Sequence, residues 1–157
     1  MNLFVKYKEG AHRLELAKPT DVGYDLAPLE DATIRPGRNL VKTGVHILIP
    51  KDCDAQVRPR SGCSLKGMPG RYAFSECADP EMLNRFDADA LIGTIDPGYT
   101  GDVGIIVYSR ERYDFVIPKG TRIAQLVVER IERPDVVEVR AMPDTERGGC
   151  GFGHTGV

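Results

Sequence analysis

The chain has 157 residues, 41% of them hydrophobic and 28% charged, with a formal net charge of −2; this suits one domain with its own core and gives no overall attraction to nucleic acid. No apolar run approaches the roughly 20 residues of a membrane span, and residues 1–8 lack the apolar stretch of a signal peptide. Cys53, Cys63, Cys77 and Cys150 form no C-x-x-C pair, and His12, His46 and His154 are scattered, so the cysteines read as reduced residues of a cytoplasmic protein rather than a disulfide framework or a zinc site.

Residues 3–7 read as an opening strand. Val22-Gly23-Tyr24-Asp25-Leu26 then sets an acid directly after a glycine turn, where most acids are simply solvated. Pro36-Gly37 is a turn signal, and beyond it Val45, Ile47 and Ile49 alternate within residues 45–49 as a half-buried strand requires. Residues 55–58 form another strand leading into Arg58-Pro59-Arg60-Ser61-Gly62. Arg60 and Ser61 there offer a guanidinium fork and a hydroxyl to phosphate oxygens; the plainer reading is a basic, solvated strand end. Residues 64–90 are less regular and read as an excursion from the β core. They hold the one helix candidate, residues 81–86, with Asp79 as cap and Pro80 at the first helical position.

Gly93-Thr94-Ile95-Asp96-Pro97-Gly98-Tyr99-Thr100-Gly101-Asp102 follows, and its Pro97-Gly98 turn predicts a β-hairpin. The open end of a hairpin presents backbone donors and acceptors able to read a pyrimidine edge. Asp96 is a carboxylate available as a general base, and the Tyr99 ring can pack against a sugar; the alternative is an aspartate that caps its own turn. Strands are expected over residues 103–108, 115–117 and 123–131. In the last of these Ala124, Leu126 and Val128 share one face, and Gln125 turns its amide the other way, toward a ligand or toward solvent. Residues 136–139 are a final strand candidate. From Asp144 onward the chain is Gly-rich, with Arg147 and Phe152 among five glycines at positions 148–156. Such a backbone can aim N–H groups at one anion, Arg147 adds a fork for phosphate, and Phe152 is an anchor or a plate for a base; the plain alternative is an unstructured tail. Seventeen glycines and eleven prolines between short apolar runs indicate an all-β domain of many short strands.

Taken in order, Gly23-Tyr24-Asp25-Leu26, Pro59-Arg60-Ser61-Gly62, Gly93-Thr94-Ile95-Asp96 with Tyr99 and Gly101, Gly120 with Arg122-Ile123-Ala124-Gln125-Leu126, and Arg147-Gly148 with Gly151-Phe152-Gly153 and Thr155-Gly156 resemble the five motifs of the trimeric dUTPase family. The resemblance implies a jelly-roll-like β barrel over residues 1–143, with an extra segment at 64–90, and a flexible arm over 144–157 that closes over a neighbouring subunit's site. It implies a homotrimer whose sites are shared between chains, Mg2+ as cofactor, and hydrolysis of dUTP to dUMP and pyrophosphate. That activity would supply the dTMP precursor and keep uracil out of DNA; neither nucleic acid nor membrane is an expected partner.

Carried over by motif, Asp96 would orient the attacking water and Tyr99 would exclude a 2'-hydroxyl. The backbone of Gly93, Thr94 and Ile95 would read uracil, and Arg60, Ser61, Gly62 and Gln125 would hold phosphate oxygens. Arg147 would reach the γ-phosphate, and Gly151, Phe152 and Gly153 would cover the uracil ring. Asp25 would hold Mg2+ through water. Three positions depart from the pattern: Cys150 and His154 flank Gly151-Phe152-Gly153, and Thr121 stands where an acid is common. Two other readings compete. A dCTP deaminase of similar fold would need a glutamate on the strand after the third motif, which here reads Val103-Gly104-Ile105-Ile106-Val107. A nucleotide-sensing module of the same fold would bind dUTP without turnover.

Overall fold

The computed structural model describes residues 2–73 and 82–149. In chain order its elements are β1 (Phe4–Tyr7), β2 (Tyr24–Leu26), β3 (Ala32–Ile34), β4 (Gly37–Leu48), β5 (Cys53–Pro59), α1 (Ser61–Lys66), β6 (Met68–Tyr72) and β7 (Asn84–Phe86), followed by β8 (Ala88–Ala90), β9 (Gly93–Ile95), β10 (Asp102–Ser109), β11 (Phe115–Ile117) and β12 (Ala124–Arg130). They assemble into three four-stranded sheets, ordered β1-β4-β10-β8, β3-β11-β6-β7 and β2-β12-β5-β9. Every pairing is antiparallel. The fold is all-β with one short helix, as the composition suggests, but the sheets stay separate rather than closing into one barrel.

Period-two burial holds the sheets together. On β5 the side chains of Cys53, Ala55 and Val57 enter the core, and their partners on β12 present Leu126 and Val128 to the same interior. Phe115 faces Ile34 across β11 and β3, and the Phe86 ring stacks on Phe115 with centroids 4.2 Å apart and planes 5° from parallel. Each such side chain removed from water contributes about 1.5–3 kcal/mol before entropy is counted.

Three expectations change here. The helix lies at Ser61–Lys66, where Gly67 at φ 88° ends it, and not at residues 81–86. Within that candidate, Asn84–Phe86 is a strand because Phe86 is needed inside, against Phe115; Asp79, Pro80 and Glu81 lie outside the described residues. Residues 64–90 are not an excursion throughout: Met68, Phe86, Ala88 and Ala90 are core residues on paired strands. Finally, residues 136–139 form no strand. Val136, Val137 and Val139 are exposed, and among the described residues no strand lies beside them to complete their hydrogen bonds.

Candidate active site

The predicted hairpin at residues 93–102 is instead a bridge between two sheets. β9 pairs with β5, Ile95 facing Ala55, whereas β10 pairs with β4 and β8. A backbone turn, Tyr99 N–H to Asp96 C=O at 3.2 Å, with Gly98 at φ 89°, joins the two. β9 is the edge strand of its sheet, β10 is paired with β8 only over residues 107–109, and a cavity of about 410 Å³ lies between β9 and β10. Gly93, Thr94 and Ile95 line one wall; Val103, Gly104 and Ile106 line the other, with Asp96 and Tyr99 at the turn. An open strand edge offers N–H and C=O groups in a row, and the free edge strand β9 borders this apolar slot. Among the described residues the Asp96 carboxylate makes no hydrogen bond or ion pair, so it does not cap its turn and is available to a ligand.

What holds this loop went unread in the sequence. Asp102 faces His46 across the ladder, but Gly104 faces Lys42, so β4 bulges at residues 43–45. The bulge strips the Thr43 and Gly44 amides of ladder partners. The Asp102 carboxylate accepts from both, at 3.2 and 3.1 Å, and from Lys8 Nζ at 3.1 Å. The buried Thr43 hydroxyl donates to Val103 C=O at 2.7 Å. His46 Nδ1 reaches Thr100 C=O at 3.0 Å. The Tyr99 hydroxyl donates to Asp102 C=O at 3.1 Å, its ring lying directly over Gly101, where an added Cβ would meet the hydroxyl oxygen at 2.3 Å. An aspartate three residues after a Tyr and before an alternating strand was the only available signal.

A second constellation forms at the other end of the β2-β12-β5-β9 sheet. The register sets Asp25, Gln125 and Arg58 in one row. Asp25 is buried, and its two oxygens receive Arg60 Nε and Arg122 Nη1, each at 2.9 Å. Arg60 also donates to Arg122 C=O at 3.2 Å, and Gln125 Nε2 to Pro59 C=O at 3.0 Å. Gly23 lies so close over Gln125 that a Cβ would fall 2.4 Å from its amide oxygen. The first, second and fourth motifs are therefore one physical unit. A buried carboxylate aligns two guanidinium groups, and beside them a cavity of about 370 Å³ is lined by Arg60, Ser61, Gly62 and Arg122. The arrangement is built for an anion.

These two constellations do not meet within the chain. Asp96 follows Ile95 and so sits level with Asp54. β5 runs on from there to Arg60, about 20 Å away at the usual rise per residue. Arg147 is exposed on the extended C-terminal segment and lines neither cavity. Gly151, Phe152 and Gly153, with Cys150 and His154, lie outside the described residues. Among the described residues no group of three or more His, Cys, Asp or Glu side chains could hold a metal ion.

The chain resembles known proteins over nearly its whole length. The family model described as dUTPase matches residues 9–69 and 86–156. The deoxyuridine 5'-triphosphate nucleotidohydrolase of Variola virus is 37% identical over 155 residues, covering 98% of this chain and 92% of its own. The Mus musculus enzyme of the same name is 37% identical over 154 residues, 98% and 83% of the two chains. Among solved structures, the Staphylococcus bacteriophage 80alpha dUTPase with dUPNHPP superposes with a TM-score of 0.78 at 28% identity, over 99% of each chain. The D-to-N mutant dUTPase of phage phi11 of S. aureus, a structure that concerns a structural Mg(II) ion, shares the fold at 24% identity and a TM-score of 0.72, over 90% of this chain and 98% of its own.

Proposed function

Because the chain belongs to the dUTPase family, we propose that it hydrolyses dUTP to dUMP and pyrophosphate in the cytoplasm, as a homotrimer whose sites are each assembled from neighbouring chains. The observation that carries this reading is the division of the site along β5. A base-sized slot with a free carboxylate stands at one end, and an anion corner at the other. One nucleotide cannot bridge about 20 Å of strand while its α-phosphorus touches Asp96. A slot from one subunit facing the corner of the next brings the two together. Exposed apolar side chains at Val136, Val137, Val139 and Met142 favour the same assembly, since none of the described residues covers them. We read residues 144–157 as an arm that reaches over a neighbour's site, bringing Arg147 to the γ-phosphate and Phe152 to the uracil ring.

The open edge at Gly93, Thr94 and Ile95 bonds the uracil, and a cytosine there would leave buried donors unpaired. The Tyr99 ring packs beneath the deoxyribose, where a 2'-hydroxyl has no room. Asp96 accepts a proton from a water aligned with the α-phosphorus and also accepts from the 3'-hydroxyl. That water's oxygen forms the new bond to phosphorus as the bond to pyrophosphate breaks. Arg60, Ser61, Gly62 and Gln125 hold the phosphate oxygens and spread the negative charge. When bound, Mg2+ would neutralise phosphate charge, and as it keeps most of its water it needs few protein ligands. Asp25 fits such a role through water. Two of its roughly four lone-pair positions go to the guanidinium groups, leaving others for water.

Pyrophosphate release from dUTP, dTTP, dCTP and UTP with Mg2+ tests base and sugar choice together; only dUTP is expected to turn over, and equal turnover of dCTP would overturn the reading. Asp96→Asn is expected to lower kcat by about two to four orders of magnitude while dUTP binding persists. Near-normal turnover of that variant would remove Asp96 from its role.

A further inference from the structure

The anion corner extends past the residues that any of the five motifs supplies. Arg85 and Lys66 line the same cavity as Arg60, Ser61 and Arg122. Arg85 lies on β7 opposite Pro69 of β6, and its neighbour Phe86 is locked into the aromatic core. The guanidinium is thus carried on a rigid strand, with one hydrogen bond from Nη1 to Gly67 C=O at 3.2 Å. Lys66 ends α1, which starts at Ser61 itself. The family model leaves residues 70–85 unmatched, so Arg85 stands at the border of the matched stretch.

Charge arithmetic gives the cavity its chemistry. Among the described residues four cations, Arg60, Lys66, Arg85 and Arg122, line it, and no carboxylate does. Asp25 compensates Arg60 and Arg122 from behind. Among the described residues neither Lys66 nor Arg85 has a carboxylate partner. In a chain of net charge −2, a concave surface with two cations that no described carboxylate pairs focuses potential on an anion. The Cys63 thiol in the same cavity feels both sides: burial pushes it up, and Arg60 and then Arg85 pull it down. Arg85 and Arg60 therefore act on one small volume. The cavity of about 370 Å³ has Arg60 and Ser61, at the start of α1, among its lining on one side and Arg85 of β7 on another.

We propose that Arg85, with Lys66, forms a pyrophosphate subsite that takes the two outer phosphates of the nucleotide and retains the pyrophosphate released from it. The inference rests on the proposed triphosphate chemistry of this corner, but pyrophosphate binding tests it without turnover. Calorimetric titration of the wild-type chain, R85Q, R85K and the R85Q/K66Q double variant with magnesium pyrophosphate gives the first arm. Affinity is expected to fall about tenfold in R85Q, the weight of one charge-assisted hydrogen bond, and further in the double variant, with R85K recovering part. The second arm reads KM for dUTP, expected to rise about tenfold in R85Q, and dUMP inhibition, expected to move less than about twofold since dUMP lacks the outer phosphates. A change in titration alone assigns the subsite to released pyrophosphate, and a change in KM alone to the bound nucleotide; either supports it. Unmoved values in both arms, for the double variant as well, overturn the inference while wild-type dUTP turnover leaves the hydrolase reading standing. A wild-type chain inactive on dUTP but binding pyrophosphate through Arg85 does the reverse.

Discussion

Gly101 shows how a residue without a side chain sets the position of one that matters. The Tyr99 ring occupies the space a Cβ would take, 2.3 Å from the hydroxyl oxygen, and the backbone of Gly101 does not require the left-handed region. Gly101→Ala is therefore conformationally allowed but must push Tyr99 aside. The expected outcome is a change in sugar choice: the ratio of kcat/KM for dUTP to that for UTP falls by about tenfold or more, given about 1–3 kcal/mol for a misfitted group. Stability, measured by urea melting, changes little. An unchanged ratio would show that Tyr99 plays no part in sugar selection. Gly23 stands in the same relation to Gln125, and this explains why a glycine precedes Tyr24-Asp25 on the strand beside β12.

At the scale of elements, the loop of residues 96–101 is positioned by a defect in its neighbour. The bulge in β4 frees two amides, and Asp102 answers both. Asp102→Ala leaves those donors without acceptors, at a cost of about 1–3 kcal/mol. The variant is expected to melt at lower urea concentration and to lose kcat/KM for dUTP beyond what lost stability explains, because Asp96 and Tyr99 hang on the released segment. Asp102→Asn keeps one acceptor oxygen and should fall between. Full kcat/KM in folded Asp102→Ala would mean that His46, through Thr100 C=O, is sufficient to hold the loop. The β6–β7 pairing carries the opposite lesson. A segment that reads as irregular holds Phe86 and Met68 in the core, and it places Arg85 at the anion corner as a by-product of that packing.

For the whole molecule, the separation of Asp96 from Arg60 along β5 makes subunit complementation the decisive measurement. In the proposed trimer Asp96→Asn chains form only dead sites, and Arg60→Gln chains form only crippled ones. Refolding or coexpressing the two together is expected to restore activity, since a mixed cyclic trimer has about one site in three with both residues intact. Activity no greater than the sum of the separate variants would place the two residues in one chain's site and end the shared-site reading. The exposed apolar run near Val136 and Met142 fits chains that find cover only in company.

Local order was the part the sequence by itself determined. Short apolar runs between turn signals marked β10, β11 and β12 nearly to the residue, because strands that bury side chains are bounded by residues that turn the chain. The motif residues Asp25, Arg60, Ser61, Asp96, Tyr99 and Gln125 stood out by residue type and order. Their partners did not, because strand register is a property of two distant segments. Only the tertiary structure tied Asp25 to Arg60 and Arg122, split the expected hairpin between two sheets, and set Phe86 in a strand. Helix signals at Asp79 and Pro80 are worth about 1 kcal/mol, while leaving a buried Phe out of the core costs about 3–5 kcal/mol, so packing chose the strand.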